Sequence, residues 1–336
     1  MTLIPDLASI LAFVIAFAIF LYVVMDGFDL GVALLFPFFP KPQDRDVIMN
    51  TVAPVWDGNE TWLVLGGGAV FAAFPLAYAV LMPALYAPII AMLLGLVFRG
   101  VAFEFRWRTK RGQFLWDIAF TGGSLVAALG QGIALGTVLQ GITVEGRAYA
   151  GGWWDWLTPF TMLTGAAVVV GYAALGATWL ILKTTGDLRD RAYALAPGLV
   201  IATLGAIALV SAVTPFLEGA YWQNWFAWPR ILLVAPVPLA VVGVAILLFR
   251  MLAARRDGWP FVLMLTLFGL CFVGLGVSIF PFIVPGAITI YQAAAPEISQ
   301  RFILVGVSIL IPIILAYTAY AYWVFRGKID TDAGYH

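Results

Sequence analysis

Long apolar stretches alternate with short polar breaks along nearly the whole chain. The apolar runs fall near 7–37, 50–74, 76–103, 114–140, 157–183, 192–215, 230–252, 259–283 and 301–326. Most exceed the ~20 residues a helix needs to cross a hydrocarbon core, and none has the sustained alternation of a lipid-facing barrel strand. The pattern predicts an all-α integral membrane protein of nine transmembrane helices, forming a single transmembrane domain over residues 1–336. The longest outer loop, around 141–156, is too short to fold alone. The first run follows MTLIPDLAS, with no basic flank before it and no small-residue cleavage site after it. It is read as a retained helix rather than a signal peptide.

The polar breaks fix the sides. Breaks after odd runs, with the tail, carry Lys41, Arg45, Arg99, Arg106, Arg108, Lys110, Arg111, Lys183, Arg189, Arg191, Arg250, Arg255, Arg256, Arg326 and Lys328; breaks after even runs carry Arg147, Arg230 and Arg301. Fifteen basic residues against three place the first group in the cytoplasm, the N-terminus outside in the periplasm and the C-terminus inside. An odd number of crossings follows. The outer loops carry Trp153, Trp154, Trp156, Trp222, Trp225 and Trp228 instead. Indole rings favour the headgroup layer, so an interfacial belt accounts for them; a quinone could also stack there.

Composition agrees and narrows the chemistry. The chain is 63% hydrophobic and 11% charged, with mean hydropathy +0.99 and net charge zero. Soluble domains carry about 25% charged residues. No basic patch suits a nucleic acid. The one cysteine, Cys271, lies in an apolar run, and the one histidine, His336, ends the chain. Haem b and most catalytic metals need buried imidazoles, so the chain is expected to ligate neither.

Acids inside the apolar runs carry the remaining signal. A charge at the bilayer centre costs about 2.5–3.5 kcal/mol on insertion scales, which makes such residues functional candidates. Asp26 and Asp29 lie in MDGFDLG, and Asp57 and Glu60 in VWDGNETWL, 55–63. Three-residue spacing puts each pair on one helix face. Counting 1.5 Å per residue from the inner ends puts Asp29 roughly 12 Å deep and Asp57 roughly 15 Å deep, both in the cytoplasmic half. Arg99 and Glu104 end the third run on the same side. Two readings stand. The acids, Asn59 and trapped waters form a proton path from the cytoplasm; or they form a polar network that locks helices together, with Arg99 paired to one acid. Gly27, Gly31, Gly58, Gly66, Gly67 and Gly68 favour close helix approach, Trp56 and Trp62 read as core packing, and Pro75, Pro83 and Pro88 break or kink their helices.

DGFDLG at 26–31, NTVAPVWDGNETWL at 50–63, FRGVAFEFR at 98–106, FPFIVP at 280–285 and IPIILAYTAY at 311–320 together resemble subunit II of the cytochrome bd-type quinol oxidases. The likeness runs end to end, APVWDGNETW being its most specific piece. The short basic loop after the third run is similar to that of the cyanide-insensitive branch. The resemblance implies a respiratory terminal oxidase in the bacterial cytoplasmic (inner) membrane. It implies a pseudo-symmetric heterodimer of two nine-span subunits, often with single-span small subunits. Subunit I would bind all the haems, haem b and in most members haem d, and carry the quinol-oxidising loop. Quinol is oxidised, dioxygen is reduced to water, and protons are drawn from the cytoplasm without pumping. Subunit II would ligate no haem and would not be catalytic alone; it would support its partner and contribute to proton uptake and oxygen access. A quinone is found in this subunit of some members as a structural ligand.

Carried over by position, Asp57 matches the aspartate at the mouth of the family's proton path. Trp62 matches a tryptophan near the proposed oxygen access. Asp29 and Asp26 match the first-helix acids. Glu104 matches an acidic position filled by aspartate elsewhere, and Glu60 stands where relatives have glutamine, which weakens it as an obligatory proton carrier. Two other classes fit the residues alone. A proton-coupled secondary transporter also carries intramembrane acids and Pro/Gly-interrupted helices, and an assembly scaffold needs only the helix-locking network.

Overall fold

The computed structural model describes residues 6–109 and 111–329; Lys110 and His336 lie outside them. In chain order the helices are α1 Leu7–Leu34, α2 Pro42–Asn50, α3 Trp56–Ala73, α4 Pro75–Ala84, α5 Tyr86–Arg106, α6 Gln113–Leu139, α7 Pro159–Lys183, α8 Gly186–Val213, α9 Gly219–Phe226, α10 Arg230–Val234, α11 Pro236–Ala253, α12 Trp259–Ile279, α13 Ile290–Ala293 and α14 Glu297–Val324. Two small antiparallel hairpins, Val144–Glu145 (β1) with Ala148–Tyr149 (β2) and Phe282–Val284 (β3) with Ile288–Thr289 (β4), sit in the connections.

Local chemistry sets the helix starts. The Asp6 side chain accepts from the Ser9 N–H at 2.9 Å and caps α1. Thr158 and Thr161 form a reciprocal capping box at α7. Prolines open α2, α4, α7, α11 and α12, where the missing N–H costs nothing.

Among the described residues eight helical segments are long and apolar enough to cross a membrane. The second predicted run is not one of them. Residues 51–55 form a turn, and α3 begins only at Trp56. Its first turns, WDGNET, are too polar for a lipid-facing span. The third predicted run is divided at Leu85 into the short α4 and the spanning α5, with Pro83 and Pro88 flanking the break.

Helices α5, α6, α7 and α8 pack in sequence, α1 lies against α3, α6 and α7, and α14 packs on α3 and α1. In its most apolar stretch α7 is 67% buried, against 6% for α14, so α7 is the central post and α14 a peripheral wall. Glycines permit the closest crossings. A Cβ on Gly31 would lie 1.8 Å from the Tyr172 carbonyl oxygen of α7, and one on Gly95 2.5 Å from the Gly123 carbonyl oxygen of α6. Gly67 and Gly68, read from sequence as close-approach residues, meet nothing within 4 Å in this chain.

Ion pairs tie the helix ends on one side. Buried Arg106 bridges Asp46 (2.5 Å) and Asp117 (2.6 Å), and Arg45 reaches Asp117 at 2.7 Å, joining α2, α5 and α6. Nearby, the chain end is clipped down. The Lys183 ammonium donates to the Phe325 and Gly327 carbonyls, the Ile329 N–H donates to the Lys183 carbonyl at 2.8 Å, and Asp257 accepts from Lys328 and from Tyr193 at 2.8 Å. Partial burial raises the Asp257 pKa, but the bonds from Lys328 and Tyr193 and the charges of Lys328 and Arg189 outweigh it and hold the carboxyl below its ordinary value. A depressed folded-state pKa means the clip is complete above the ordinary carboxylate range and is lost as pH falls through the lower folded value. The segment after α14 should therefore resist proteolysis equally from pH 8 to pH 5, and Asp257→Asn should make it cleavable throughout that range. Limited proteolysis read by mass spectrometry checks this; equal cleavage of the two proteins would refute it.

Candidate functional site

Asp26 and Asp29 lie on one face of α1, three residues apart, and that face is turned inward: their exposures are 1% and 0%. Arg99, on α5, meets them there and is itself wholly buried. Its Nη1 is 2.9 Å from Asp26 Oδ1 and 2.5 Å from Glu60 Oε1 of α3, and its Nη2 is 3.6 Å from Asp29 Oδ2. One cation thus serves three carboxylates from two helices, where sequence reasoning paired it with one. Two aromatic faces complete its surroundings. The Arg99 guanidinium carbon is 5.6 Å from the ring centres of both Trp56 and Phe103, and these two rings stack at 4.8 Å.

Asn59 uses its whole amide. Its Nδ2 donates to Asp29 Oδ2 (2.7 Å) and to the Met25 carbonyl (3.3 Å), and its Oδ1 accepts from the Tyr322 hydroxyl of α14 (3.0 Å). The amide thereby joins α1, α3 and α14. On the far side Gln131 of α6 donates to the Tyr22 hydroxyl (2.8 Å) and accepts from the Tyr172 hydroxyl of α7 (2.6 Å). Both oxygens of Asp26, Asp29 Oδ1, and Nε and Nη2 of Arg99 are buried without an aligned hydrogen-bond partner in this chain. Groups of this kind, donors and acceptors side by side, have the chemistry of a hydrated polar pocket.

The structure brings Asp26, Asp29, Asn59 and Arg99 together and adds Glu60 to them. Asp57 does not join this buried group. It faces out of the chain, one helix turn from Glu60, and its carboxylate has no ion pair among the described residues. The Glu60 side chain is 25% exposed, so Asp57, Glu60 and Asp29 form a series from surface to full burial. Glu104 stands apart: its side chain is 67% exposed and pairs with Arg108 at 3.8 Å. Five residues after Arg99, it is rotated about 140° around α5, away from the cluster. Trp62 is fully buried beside Ala18 and Tyr22, edge-on to Phe17 at 6.2 Å, with its indole N–H unpartnered. Sequence reasoning missed Tyr22, Gln131, Tyr172 and Tyr322. Two signals were present: Tyr22 precedes Asp26 by one helical turn, and Gln131 is an amide in the middle of an apolar run.

No group of three or more His, Cys, Asp or Glu among the described residues could hold an ion, and Cys271 stands alone in α12.

The model of the family "Cytochrome bd terminal oxidase subunit II" matches residues 7–325. The cytochrome bd-I ubiquinol oxidase subunit 2 of Escherichia coli is 31% identical, over 93% of this chain and 92% of its own. The probable cytochrome oxidase subunit 2 of Haemophilus influenzae is 32% identical over 92% and 91%. The cytochrome bd ubiquinol oxidase subunit 2 of Bacillus subtilis is 28% identical over 91% and 92%. Among solved structures, a chain of the bd oxidase from Geobacillus thermodenitrificans shares the fold, with TM-score 0.77 at 17% identity, covering 95% of this chain and 98% of that one. By a family match that takes in all but the chain's ends, and by relatives of matching length, the chain belongs to the cytochrome bd terminal oxidase subunit II family.

Proposed function

We propose that this chain is the non-haem subunit of a bd-type quinol oxidase in a bacterial cytoplasmic membrane, and that its acid cluster takes up protons for oxygen reduction from the cytoplasmic side. The Escherichia coli and Bacillus subtilis relatives are ubiquinol oxidase subunits, and no relative named above supports the transporter alternative. Haem chemistry belongs to a partner subunit, and no step of it is routed through this chain. The chain crosses the membrane nine times, its eight apolar segments plus α3, whose eighteen residues reach about 27 Å. The N-terminus is then outside and the C-terminus inside, and residues 1–336 form one domain.

The observation that carries the proton reading is the graded burial of successive acids on α3 and α1. Asp57 is open, Glu60 is partly covered and Asp29 is sealed. Protons pass from Asp57 to Glu60 and on to Asp29 and Asp26, with Asn59 and water completing the contacts. Glu104 is at the aqueous rim, outside this file. An acid in the inner leaflet cannot be left facing acyl chains at about 2.5–3.5 kcal/mol. The face of α3 that bears Asp57 and the unopposed Gly67 and Gly68 is therefore the one we assign to the haem-bearing partner. Trp62, sealed between α1 and α3, is the residue of this chain we place beside oxygen access.

Asp57→Asn tests the route. The variant should assemble with full haem and lose about tenfold in quinol oxidase turnover, equivalent to ~1.4 kcal/mol on the barrier. Unchanged turnover would remove Asp57 from the mechanism, and loss of assembly would transfer it to the helix-locking role.

A further inference from the structure

We infer that Tyr322 is a positioning residue for the acid cluster and that buried Lys183 holds it there: Lys183 caps the carboxyl end of α14, the capped end seats Tyr322 on Asn59, and the Tyr322 hydroxyl secures the Asn59 amide with its NH2 group against Asp29. The functional meaning rests on the proton-uptake reading; the assignment rests on geometry.

Helix α14 is loosely held over most of its length. Of its 28 residues only Gln300 and Val307 are buried, both in the half far from Tyr322. Its inner end is fixed in another way. The last carbonyls of a helix have no partner within it and carry partial negative charge. Lys183, 4% exposed at the end of α7, donates to the Phe325 carbonyl and, at 2.9 Å, to the Gly327 carbonyl. Its hydrogen bonds thus go to the backbone that closes α14 rather than to a carboxylate, which is where a cation favours a helix end. The strap grips in return. The Ile329 N–H donates to the Lys183 carbonyl at 2.8 Å, and Lys328 donates to the Thr184 carbonyl at 3.3 Å.

The cap reaches the acids through packed rings. Trp179 lies one turn before Lys183 on α7, and the Lys183 ammonium is 5.4 Å from its ring centre. Trp179 stacks on Phe28 of α1 at 4.2 Å, and Tyr322 stands edge-on to both rings, at 6.3 and 6.4 Å. Tyr322 lies three residues before Phe325, within the turn that Lys183 caps. Its hydroxyl donates to Asn59 Oδ1 at 3.0 Å. Asn59 is buried, so bulk water cannot stand in for that donor. The other end of the amide faces two acceptors, Asp29 Oδ2 at 2.7 Å and the Met25 carbonyl at 3.3 Å. A carbonyl only accepts, so the NH2 group belongs on that side and Oδ1 on the side of the phenol. Without the phenol, Oδ1 is a buried acceptor left without its donor, and the amide loses a contact that resists its turning away from Asp29.

Infrared difference spectroscopy of the assembled oxidase tests this through the Asp29 carboxyl group, whose band is the one lost in Asp29→Asn. The band's frequency reports the hydrogen bond from Asn59 whatever the protonation state. Tyr322→Phe, which deletes one oxygen and keeps the ring, should shift that band, and Lys183→Met should shift it in the same direction. Tyr322→Phe should also lower turnover about fivefold, the scale of one hydrogen bond. Adding Lys183→Met to it should lower turnover little further, because both act through one contact. An unmoved Asp29 band in Tyr322→Phe would overturn the role of Tyr322. A band that moves in Tyr322→Phe but not in Lys183→Met, or losses that multiply in the double variant, would overturn the role of Lys183 and leave it a cap of α14 alone. Should Lys183→Met fail to assemble, Ile329→Pro loosens the same strap by deleting the N–H that the Lys183 carbonyl receives, and an unmoved band there would overturn the link equally. A shifted band with unchanged turnover would support the positioning and count against the proton route, which Asp57→Asn decides independently.

Discussion

Replacing Arg99 by methionine should remove most of the assembled complex from the membrane. The substitution keeps much of the side chain's length and apolar contact, so the loss isolates the charge. Arg99 is the single cation among Asp26, Asp29 and Glu60, with contacts of 2.9, 3.6 and 2.5 Å. Breaking a buried ion pair from one side costs roughly 3–5 kcal/mol, because the partner's charge is left without compensation. Here three partners are left. Total stability of a domain is of the order of 5–15 kcal/mol, so this is a large share of it. Arg99→Lys should be intermediate. An ammonium keeps the charge, but it is a point donor that cannot span both α1 acids and Glu60, nor offer a planar face to the stacked Trp56 and Phe103 rings. The decisive variant neutralises the group as a whole: Arg99→Met with Asp26→Asn, Asp29→Asn and Glu60→Gln should recover assembly that Arg99→Met loses, while turnover stays low. Haem content per membrane protein and blue-native electrophoresis measure assembly. Wild-type levels of complex in Arg99→Met would show that the cluster is not held by this cation.

The crossings were legible because lipid leaves so few ways to satisfy a backbone. Runs of about 20 apolar residues are the only solution open to a helical chain, so most predicted runs coincide with a helix long and apolar enough to cross a membrane. The exception has the same cause. Residues 50–74 are not among the apolar spanning helices because WDGNET, the stretch that carries Asp57, Asn59 and Glu60, breaks the pattern. Intramembrane acids stood out by their cost, and Asp26, Asp29 and Asn59 do converge. What could not be read was which group meets which. Glu60 stands where the family resemblance has glutamine, yet it makes the shortest contact to Arg99. Glu104 shares the inner end of its run with Arg99, but five residues along a helix point elsewhere, and its side chain is exposed beside Arg108. Tyrosine and glutamine are tolerated in apolar helices at little cost, so the spacing of Tyr22 and the amide of Gln131 are weak signals, and Tyr172 and Tyr322 give none until their hydroxyl groups are seen to be joined to the cluster.

The second large effect is expected at a residue with no chemistry of its own. Gly31→Ala adds one methyl group, and that methyl would lie 1.8 Å from the Tyr172 carbonyl oxygen and 2.6 Å from its carbon. Both atoms belong to the backbone of α7, so no side-chain rotation relieves the overlap. The opposite wall is equally closed: a Cβ on Gly176 would lie 2.3 Å from the Gly31 carbonyl carbon. Helices α1 and α7 must then separate along a seam that includes Asp29, two residues from Gly31, and Tyr172, which anchors the chain through Gln131 to Tyr22. Overpacking of a tight core costs typically 1–3 kcal/mol, and a backbone collision is at the upper end or beyond. Gly31→Ala should therefore lower the thermal midpoint of the detergent-solubilised complex and reduce turnover together, since the acids on α1 move with the helix. Gly68→Ala, whose Cβ meets nothing within 4 Å in this chain, is the matched control for losing a glycine from a membrane helix. It meets nothing among the described residues, so an effect of Gly68→Ala on the assembled complex would support the proposal that a partner covers this face of α3. A Gly31→Ala complex as stable as the wild type would mean that α1 and α7 can part at little cost, and the close crossing would lose its claim to hold the acid cluster in register.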